Sequence, residues 1–111
     1  MKKEEHQIQV GIVKYLRIKG FLVFACPNGG LRSVGTARTL KAEGVLAGVS
    51  DLVILLPAGQ VVFVEVKTPK GTQADSQKDF QFQVKEMGYE YLIWRSVDDA
   101  VAWVAAHRRA A

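Results

Sequence analysis

The stretch that decides the fold is Asp51-Leu-Val-Ile-Leu-Leu-Pro-Ala-Gly-Gln-Val-Val-Phe-Val-Glu-Val-Lys67. It contains two runs of apolar, strand-forming residues, and its only ionisable residues stand at the two ends. Pro57, Ala58 and Gly59 between the runs suit a three-residue hairpin loop. In such a loop proline sets φ at the first turn position, and glycine takes the left-handed position and makes a G1 bulge. The stretch therefore predicts an antiparallel β-hairpin.

The length of this loop sets the register of the hairpin. Leu55 then lies opposite Val61, and Asp51 lies opposite Glu65, so that each pair points to the same side of the sheet. Because side chains alternate along a strand, Lys67 joins Asp51 and Glu65 on one face. The other face receives three valines of the second strand, Val62, Val64 and Val66. A four-residue loop would shift the register by one residue and separate the charged groups.

Two readings of this charged cluster are open. An isolated Glu-x-Lys at a strand end is commonly a structural ion pair of little consequence. Here, however, Asp51 and Glu65 face each other with Cβ atoms roughly 4.5 to 5.5 Å apart, and the flanking residues are almost all apolar. Two carboxylates in such surroundings are costly without a partner. A hard cation such as Mg²⁺, which takes carboxylate oxygens as ligands, is the natural partner.

Composition indicates an ordinary globular protein of one domain, residues 1–111. A hydrophobic share of 49% in 111 residues supplies a core without disulfide or metal staples. The single cysteine, Cys26, excludes an internal disulfide and indicates a reducing, cytoplasmic setting. No signal peptide is visible and no apolar run approaches ~18 residues, so we expect no membrane association. The net charge of +4 is compatible with nucleic-acid binding without demanding it.

The rest of the chain predicts an α/β domain with a mixed central β-sheet flanked by helices. Apolar spacing and terminal Gly or Pro residues mark the other elements. They are a helix over 4–19, a strand over 21–25, a short helix over 36–43, a helix over 74–87, a strand over 89–94 and a last helix from 97. Thr36 would cap the short helix, and Thr72 or Asp75 would stand near the start of the helix that follows the hairpin.

Two polar residues lie on the inward stripes of predicted helices. Glu5 is placed to reach the charged cluster from the first helix, although acidic residues in a first turn, Glu4 included, also complement the helix dipole. Gln77 would contact a metal-bound water or a phosphate, or else cap its own helix. The glycine-rich segment 28–50 carries Arg32, Arg38 and Lys41. It is either a cationic lip that faces phosphates or a surface loop made soluble by charge.

Taken together, these residues resemble the PD-(D/E)XK nuclease superfamily, and in particular its VRR-NUC branch. The core of the resemblance is Asp51 before one strand, Glu65-Val66-Lys67 at the end of the next, and an acidic first helix. Small stand-alone members are similar also in several flanking features: Glu5 with Gln9, Asn28-Gly29-Gly30, Gly44 through Gly48, Lys67-Thr68-Pro69-Lys70-Gly71, and Gln77. One departure is Ser50, where the superfamily pattern has proline. That position shapes the approach to Asp51 and carries no chemistry.

The resemblance implies a restriction-endonuclease-like core and metal-dependent hydrolysis of phosphodiester bonds in DNA. Asp51 and Glu65 would hold Mg²⁺ or Mn²⁺, with the Val66 carbonyl and Glu5 as further ligands. Lys67 would position or help deprotonate the attacking water, and Gln77 would support the site. The expected contacts to the DNA backbone come from four basic residues, Arg32, Arg38, Lys41 and Lys70.

Small members of this branch also resemble Holliday-junction resolvases, which implies a homodimer that acts in DNA repair on branched DNA. Three alternatives stay open at this point. The chain could be a nicking, flap or single-strand nuclease without junction specificity. It could be a catalytically silent DNA-binding module on the same fold, or a structural domain with incidental charges.

Overall fold

The computed structural model describes residues 3–27 and 34–110. The elements in chain order are α1 (Lys3–Ile18), β1 (Leu22–Ala25), α2 (Val34–Ala42), β2 (Leu52–Leu55), β3 (Val61–Val66), α3 (Asp75–Glu86), β4 (Glu90–Trp94) and α4 (Val97–Ala110). A single 3₁₀ turn, Pro57–Gly59, joins β2 to β3.

The four strands form one mixed sheet in the order β1-β2-β3-β4. β1 pairs antiparallel with β2, and β2 pairs antiparallel with β3. β4 runs parallel to β3. Parallel neighbours require a crossover connection, which α3 supplies here. The predicted mixed sheet with flanking helices is confirmed.

The hairpin has the predicted register. Leu55 pairs with Val61 and Val53 with Phe63, and the N–H of Leu56 donates to the carbonyl of Gln60 at 2.9 Å. The loop itself differs from the prediction at one residue. Ala58 has φ 64° and ψ 28°, so it shares the left-handed conformation of Gly59. An L-residue in that conformation costs about 1–2 kcal/mol, which the pairing on either side of the turn has to offset.

The two faces of the sheet carry different layers. One face packs against α1 and α4 in the larger core, which includes Ile12, Leu16, Val62, Val64, Val66 and Val104. The other face packs against α3, where Phe80, Val84 and Tyr91 are buried beside Phe63. Because Glu65 alternates with the valines of β3, its side chain lies on the α3 face. The predicted separation of the charged cluster from the valines is therefore confirmed.

The helix ends follow the sequence closely, with one exception. Gly20 ends α1 with φ +89°, its N–H donates to the Arg17 carbonyl, and the N–H of Phe21 donates to the Leu16 carbonyl. This is the αL termination that glycine permits. α2 begins at Val34, before the predicted start. Thr36 therefore lies inside the helix, and its predicted capping role is wrong.

Within the described ranges, no helix is long and apolar enough to cross a membrane.

Candidate active site

Asp51 and Glu65 come together where the hairpin strands end opposite the turn. Asp51 directly precedes β2, and Glu65 is the second-last residue of β3. The N–H of Val66 donates a hydrogen bond to Asp51 Oδ2 at 2.8 Å. The carbonyl of Asp51 accepts a hydrogen bond from the N–H of Cys26 at 2.9 Å, which ties the same residue to the end of β1. Both neighbouring strands thus fix the position of this half-buried carboxylate.

Glu65 is buried without a donor. Its exposed fraction is 0%, and neither Oε1 nor Oε2 receives a hydrogen bond from any residue that the structure describes. Buried polar atoms in native proteins almost always have a partner, and an ionised carboxylate needs one most. A buried carboxylate whose oxygens lack a donor therefore fits a cation.

The electrostatics of the pair agree with this interpretation. Burial raises the pKa of the Glu65 carboxyl to about 9. Asp51 adds to this rise, first through a hydrogen bond between the two carboxyl groups and then through its like charge. Lys67 lowers this pKa, while the charge of Glu5 makes a further, smaller contribution that raises it. Asp51 can hydrogen-bond to Glu65 only when one of the two carboxyls carries a proton. Without a cation the pair therefore favours sharing a proton over ionising twice.

Lys67 lies at the same end of the sheet. Only 8% of this residue is exposed. Lys67 lies one residue beyond the end of β3, and its backbone N–H donates to the Trp94 carbonyl at 3.0 Å. Alternation along the strand places its side chain on the same face as Glu65. Its positive charge lowers the pKa of the Glu65 carboxyl, so Lys67 is a compensating charge and a candidate proton-transfer group.

Glu5 is half-buried in the first turn of α1. Its charge acts on Glu65, though more weakly than that of Asp51 or Lys67. Within residues 3–27 and 34–110 no three His, Cys, Asp or Glu side chains are close enough to hold a metal ion together. The structure therefore assembles the Asp51–Glu65 pair, with Glu5 farther away.

Gln77 is engaged at the start of α3. Its Oε1 accepts a hydrogen bond from the N–H of Ala74 at 2.8 Å, and its own N–H donates to the Ala74 carbonyl at 3.1 Å. The helix-capping role is thus the one that the structure shows. Ala74 is the N-cap residue and Asp75 the first residue of the helix, so Asp75 stands near the start of α3 as predicted.

The segment before Asp51 packs tightly against the same helix start. Gly48 is buried with φ +85°, and a Cβ atom there would overlap the Ser76 carbonyl and lie 2.9 Å from the Gln77 nitrogen. Only glycine allows both that conformation and that approach. Ser50, which stands where the superfamily pattern has proline, is fully buried and donates through Oγ to the Leu52 carbonyl at 3.0 Å. Its hydroxyl thereby has a hydrogen-bond partner inside the protein.

The basic residues predicted to contact DNA lie outside this core. Arg38 and Lys41 are exposed on α2, and Lys70 is exposed just after Lys67. Arg32 and the Asn28-Gly29-Gly30 motif lie outside the described residues.

Arg95 is a residue that sequence reasoning missed. Its Nη1 donates to the carbonyls of Gly71 at 2.7 Å, Thr68 at 2.8 Å and Pro69 at 3.4 Å. It therefore holds the segment 68–71, which follows Lys67 and carries Lys70. No local pattern could have indicated this, because the partners are 24 to 27 residues apart in sequence.

Tyr91 and Gln73 form a second unforeseen pair on the α3 face. Tyr91 is 7% exposed, and its hydroxyl accepts a hydrogen bond from Gln73 Nε2 at 3.2 Å. Burial raises the pKa of the Tyr91 hydroxyl, and so does the charge of Glu65. Strand periodicity predicts that Tyr91 faces inward with Phe63, but it does not predict the polar partner.

Comparison with known proteins gives a consistent result. The model of the VRR-NUC domain family matches residues 4–98. The fold is similar to that of a solved VRR-NUC domain, with TM-score 0.67 and 20% identity over 94% of this chain and 97% of that one. It is also similar to that of a VRR-NUC domain protein, with TM-score 0.72 and 19% identity over 91% of this chain and 84% of that one. None of the curated proteins matches the sequence.

Proposed function

The chain belongs to the VRR-NUC domain family, with a restriction-endonuclease-like core, and we propose that this nuclease domain is a metal-dependent DNA endonuclease. The observation that carries the proposal is the pairing of Asp51 with a fully buried Glu65 whose oxygens have no donor among the described residues, beside the nearly buried Lys67. A structural ion pair at a strand end would not need a second carboxylate.

Asp51 and Glu65 would hold Mg²⁺ or Mn²⁺, with the Val66 carbonyl as a further ligand and Glu5, which lies farther away, completing the site through a water. When bound, such a cation lowers the pKa of a water ligand and polarises the phosphoryl oxygen. The N–H of Val66 keeps Asp51 turned toward Glu65, so that the two carboxylates are held together before a cation binds. This preorganisation reduces the cost of ordering the ligands.

Lys67 would act on the attacking water and on the charge that develops at the phosphate. Its burial strengthens its interaction with a developing negative charge, since the local dielectric is low. Gln77 would act indirectly, because its side chain fixes the start of α3 against the segment that leads into Asp51.

DNA is the proposed substrate, and exposed basic residues would contact its backbone. Arg38, Lys41 and Lys70 project from segments on either side of the hairpin in the sequence, and Arg32 would join them. Such contacts position a duplex without reading its sequence. The net charge of +4 supports this role.

We further propose that two copies act together on branched DNA. α3 covers only part of its face of the sheet, and on β1 and β2 it leaves Leu22, Phe24 and Leu55 exposed, with Leu22 at 62%. Leu22 pairs with Leu55 at the open edge of the sheet, so these side chains form one apolar patch. A second copy would cover such a patch, and a two-fold dimer would present two active sites to the symmetric strands of a four-way junction.

Cleavage of a labelled four-way junction beside a linear duplex of the same sequence tests the proposal. Wild type and Glu65→Gln are compared with Mg²⁺, Mn²⁺ or EDTA. Paired symmetric cuts in the junction that are absent with EDTA and with the variant are the expected result. Equal cutting of both substrates would retain the nuclease and overturn the junction preference, as in a nicking, flap or single-strand nuclease. Binding without cleavage by wild type would indicate a silent DNA-binding module instead.

A further inference from the structure

We infer that Tyr91, held by Gln73, is a positioning residue that orients the Glu65 carboxylate through a bridging water. The inference rests on the proposed function, because it concerns the cation-binding pair. It goes beyond that function by adding two residues that the family resemblance did not indicate.

Sheet register places the tyrosine beside the glutamate. Tyr91 pairs with Phe63 on the neighbouring strand, and Glu65 is two residues further along that strand. Side chains two residues apart point to the same face, so Tyr91 and Glu65 occupy adjacent positions under α3. The ring of Tyr91 is fixed there by Phe80, with ring centroids 6.2 Å apart. The hydroxyl therefore has a defined place relative to the carboxylate.

The hydrogen-bond pattern determines what the hydroxyl can do. Gln73 Nε2 donates to the tyrosine oxygen, so the proton of the hydroxyl has to point toward some other acceptor. The described part of the chain provides no hydrogen bond in which this hydroxyl donates. Glu65 offers two buried oxygens that lack a donor. A water molecule between a donor and an acceptor of this kind is nearly as favourable as a direct hydrogen bond.

A donor that cannot change its charge suits this task. Burial and the neighbouring carboxylates keep the phenol protonated at working pH, so it donates whether or not Glu65 is ionised. Outer partners of this kind orient ligating carboxylates, and their loss typically weakens metal binding 10- to 100-fold.

The substitution Tyr91→Phe tests the inference with little disturbance, because it removes one oxygen and keeps the ring against Phe80. Binding of Mn²⁺ to the full chain without DNA is measured by isothermal titration calorimetry. We expect a Kd that is roughly 10-fold higher than in wild type, with an unchanged thermal unfolding midpoint. Saturating Mn²⁺ should restore the cleavage rate, since the defect lies in cation binding and not in the reaction.

Tyr89→Phe is the matched control. Tyr89 lies two residues earlier and its ring makes an edge-to-face contact with that of Phe63, but its side chain is exposed. Its Kd for Mn²⁺ should equal that of wild type. Gln73→Leu removes the group that fixes the hydroxyl without touching the strand, and it should weaken Mn²⁺ binding in the same direction. This second variant keeps the test decisive if Tyr91→Phe fails to fold.

Glu65→Gln separates the two proposals. If it leaves Mn²⁺ binding unchanged, the cation site itself is misplaced and the proposed function fails. If Glu65→Gln abolishes binding while Tyr91→Phe and Gln73→Leu both bind Mn²⁺ like wild type, the nuclease proposal stands and the positioning role is overturned.

Discussion

The backbone N–H of Val66 donates to Asp51 Oδ2 at 2.8 Å, and this hydrogen bond joins the residue before β2 to the strand that carries Glu65. Val66 thus contributes to two layers. Its side chain is buried among the valines of the larger core. Its N–H fixes the carboxylate of Asp51, which belongs to the charged cluster on the opposite face of the sheet. The position of the site therefore depends directly on how the hairpin strands are paired.

Asp51→Asn should abolish metal-dependent cleavage and leave the fold intact. The amide oxygen of asparagine can still accept from Val66, but the negative charge for the cation is lost. Because loss of an outer partner alone costs 10- to 100-fold, we expect more than 100-fold loss of cleavage rate, measured on labelled DNA with Mg²⁺.

Asp75→Asn serves as the control for that measurement. Asp75 is an exposed carboxylate in the first turn of α3, and its replacement by asparagine raises the net charge by the same amount as Asp51→Asn. Cleavage at the wild-type rate is expected. Unchanged cleavage by Asp51→Asn would contradict the assignment of the site.

Stability without metal should fall as pH rises, because of Glu65. Its pKa is about 9 in the folded chain, against 4.5 for an ordinary glutamate carboxyl, so the native state holds a proton that the unfolded state releases. The stabilisation is fully present below about pH 4.5 and is lost as pH rises through 9. The loss is at most about 1.4 kcal/mol per pH unit in that window.

Urea unfolding in EDTA between pH 5 and pH 9 measures this dependence. Glu65→Gln should remove most of it, since glutamine does not titrate, and should be more stable than wild type at pH 8. At high pH, added Mn²⁺ should restore the stability of the wild-type protein, whereas it should not change the stability of Glu65→Gln. A wild-type curve that matches the variant at every pH would show that Glu65 ionises freely in the fold.

Gly48→Ala should destabilise the protein more than the same change at Gly44. Both glycines have positive φ, +85° and +106°, but a Cβ at Gly44 meets nothing within 4 Å, whereas one at Gly48 overlaps the Ser76 carbonyl. Gly44→Ala should therefore cost only the conformational term of about 1–2 kcal/mol.

The difference between the two midpoints in urea isolates the packing of the 44–50 segment against α3. For Gly48→Ala we also expect slower cleavage, because the backbone that leads to Asp51 has to shift. Equal unfolding midpoints for the two variants would mean that Gly48 does not pack tightly against the Ser76 carbonyl.

Much of this architecture could be predicted because it depends on local rules. The three-residue loop fixed which residues face each other, and alternation then placed Asp51, Glu65 and Lys67 on one face. The left-handed Ala58 could not be predicted in this way, since alanine rarely adopts that conformation. The pairing on both sides of the turn imposes it.

Contacts between distant segments were beyond the sequence. The inward stripe of α3 indicated that Gln77 is important, but capping and site-facing roles share that stripe, and only the Ala74 hydrogen bond distinguishes them. Gln73 reaches Tyr91 across 18 residues, and Arg95 reaches the 68–71 segment across a strand and a helix. Such partners are brought together by the crossover from β3 to β4, and the periodicity of apolar residues in the sequence does not predict them.

Arg95→Ala should release the segment that carries Lys70. The variant removes Nη1, which donates to the carbonyls of Thr68, Pro69 and Gly71. A hydrogen bond from a charged donor contributes about 1.5–3 kcal/mol to stability. The peptide bond after Lys70 should then become a preferred site for trypsin, at a time when the rest of the chain is still resistant.

The same variant should raise KM for DNA more than it lowers kcat, because Lys70 is proposed to bind the DNA backbone while Lys67 is held separately by Trp94. Arg95→Lys keeps the charge but loses the planar guanidinium that reaches several carbonyls at once, so it should resemble Arg95→Ala. Lys70→Ala provides the comparison for the kinetic effect. If Lys70→Ala leaves KM for DNA unchanged while Arg95→Ala raises it, a group other than Lys70 in the 68–71 segment contacts the DNA.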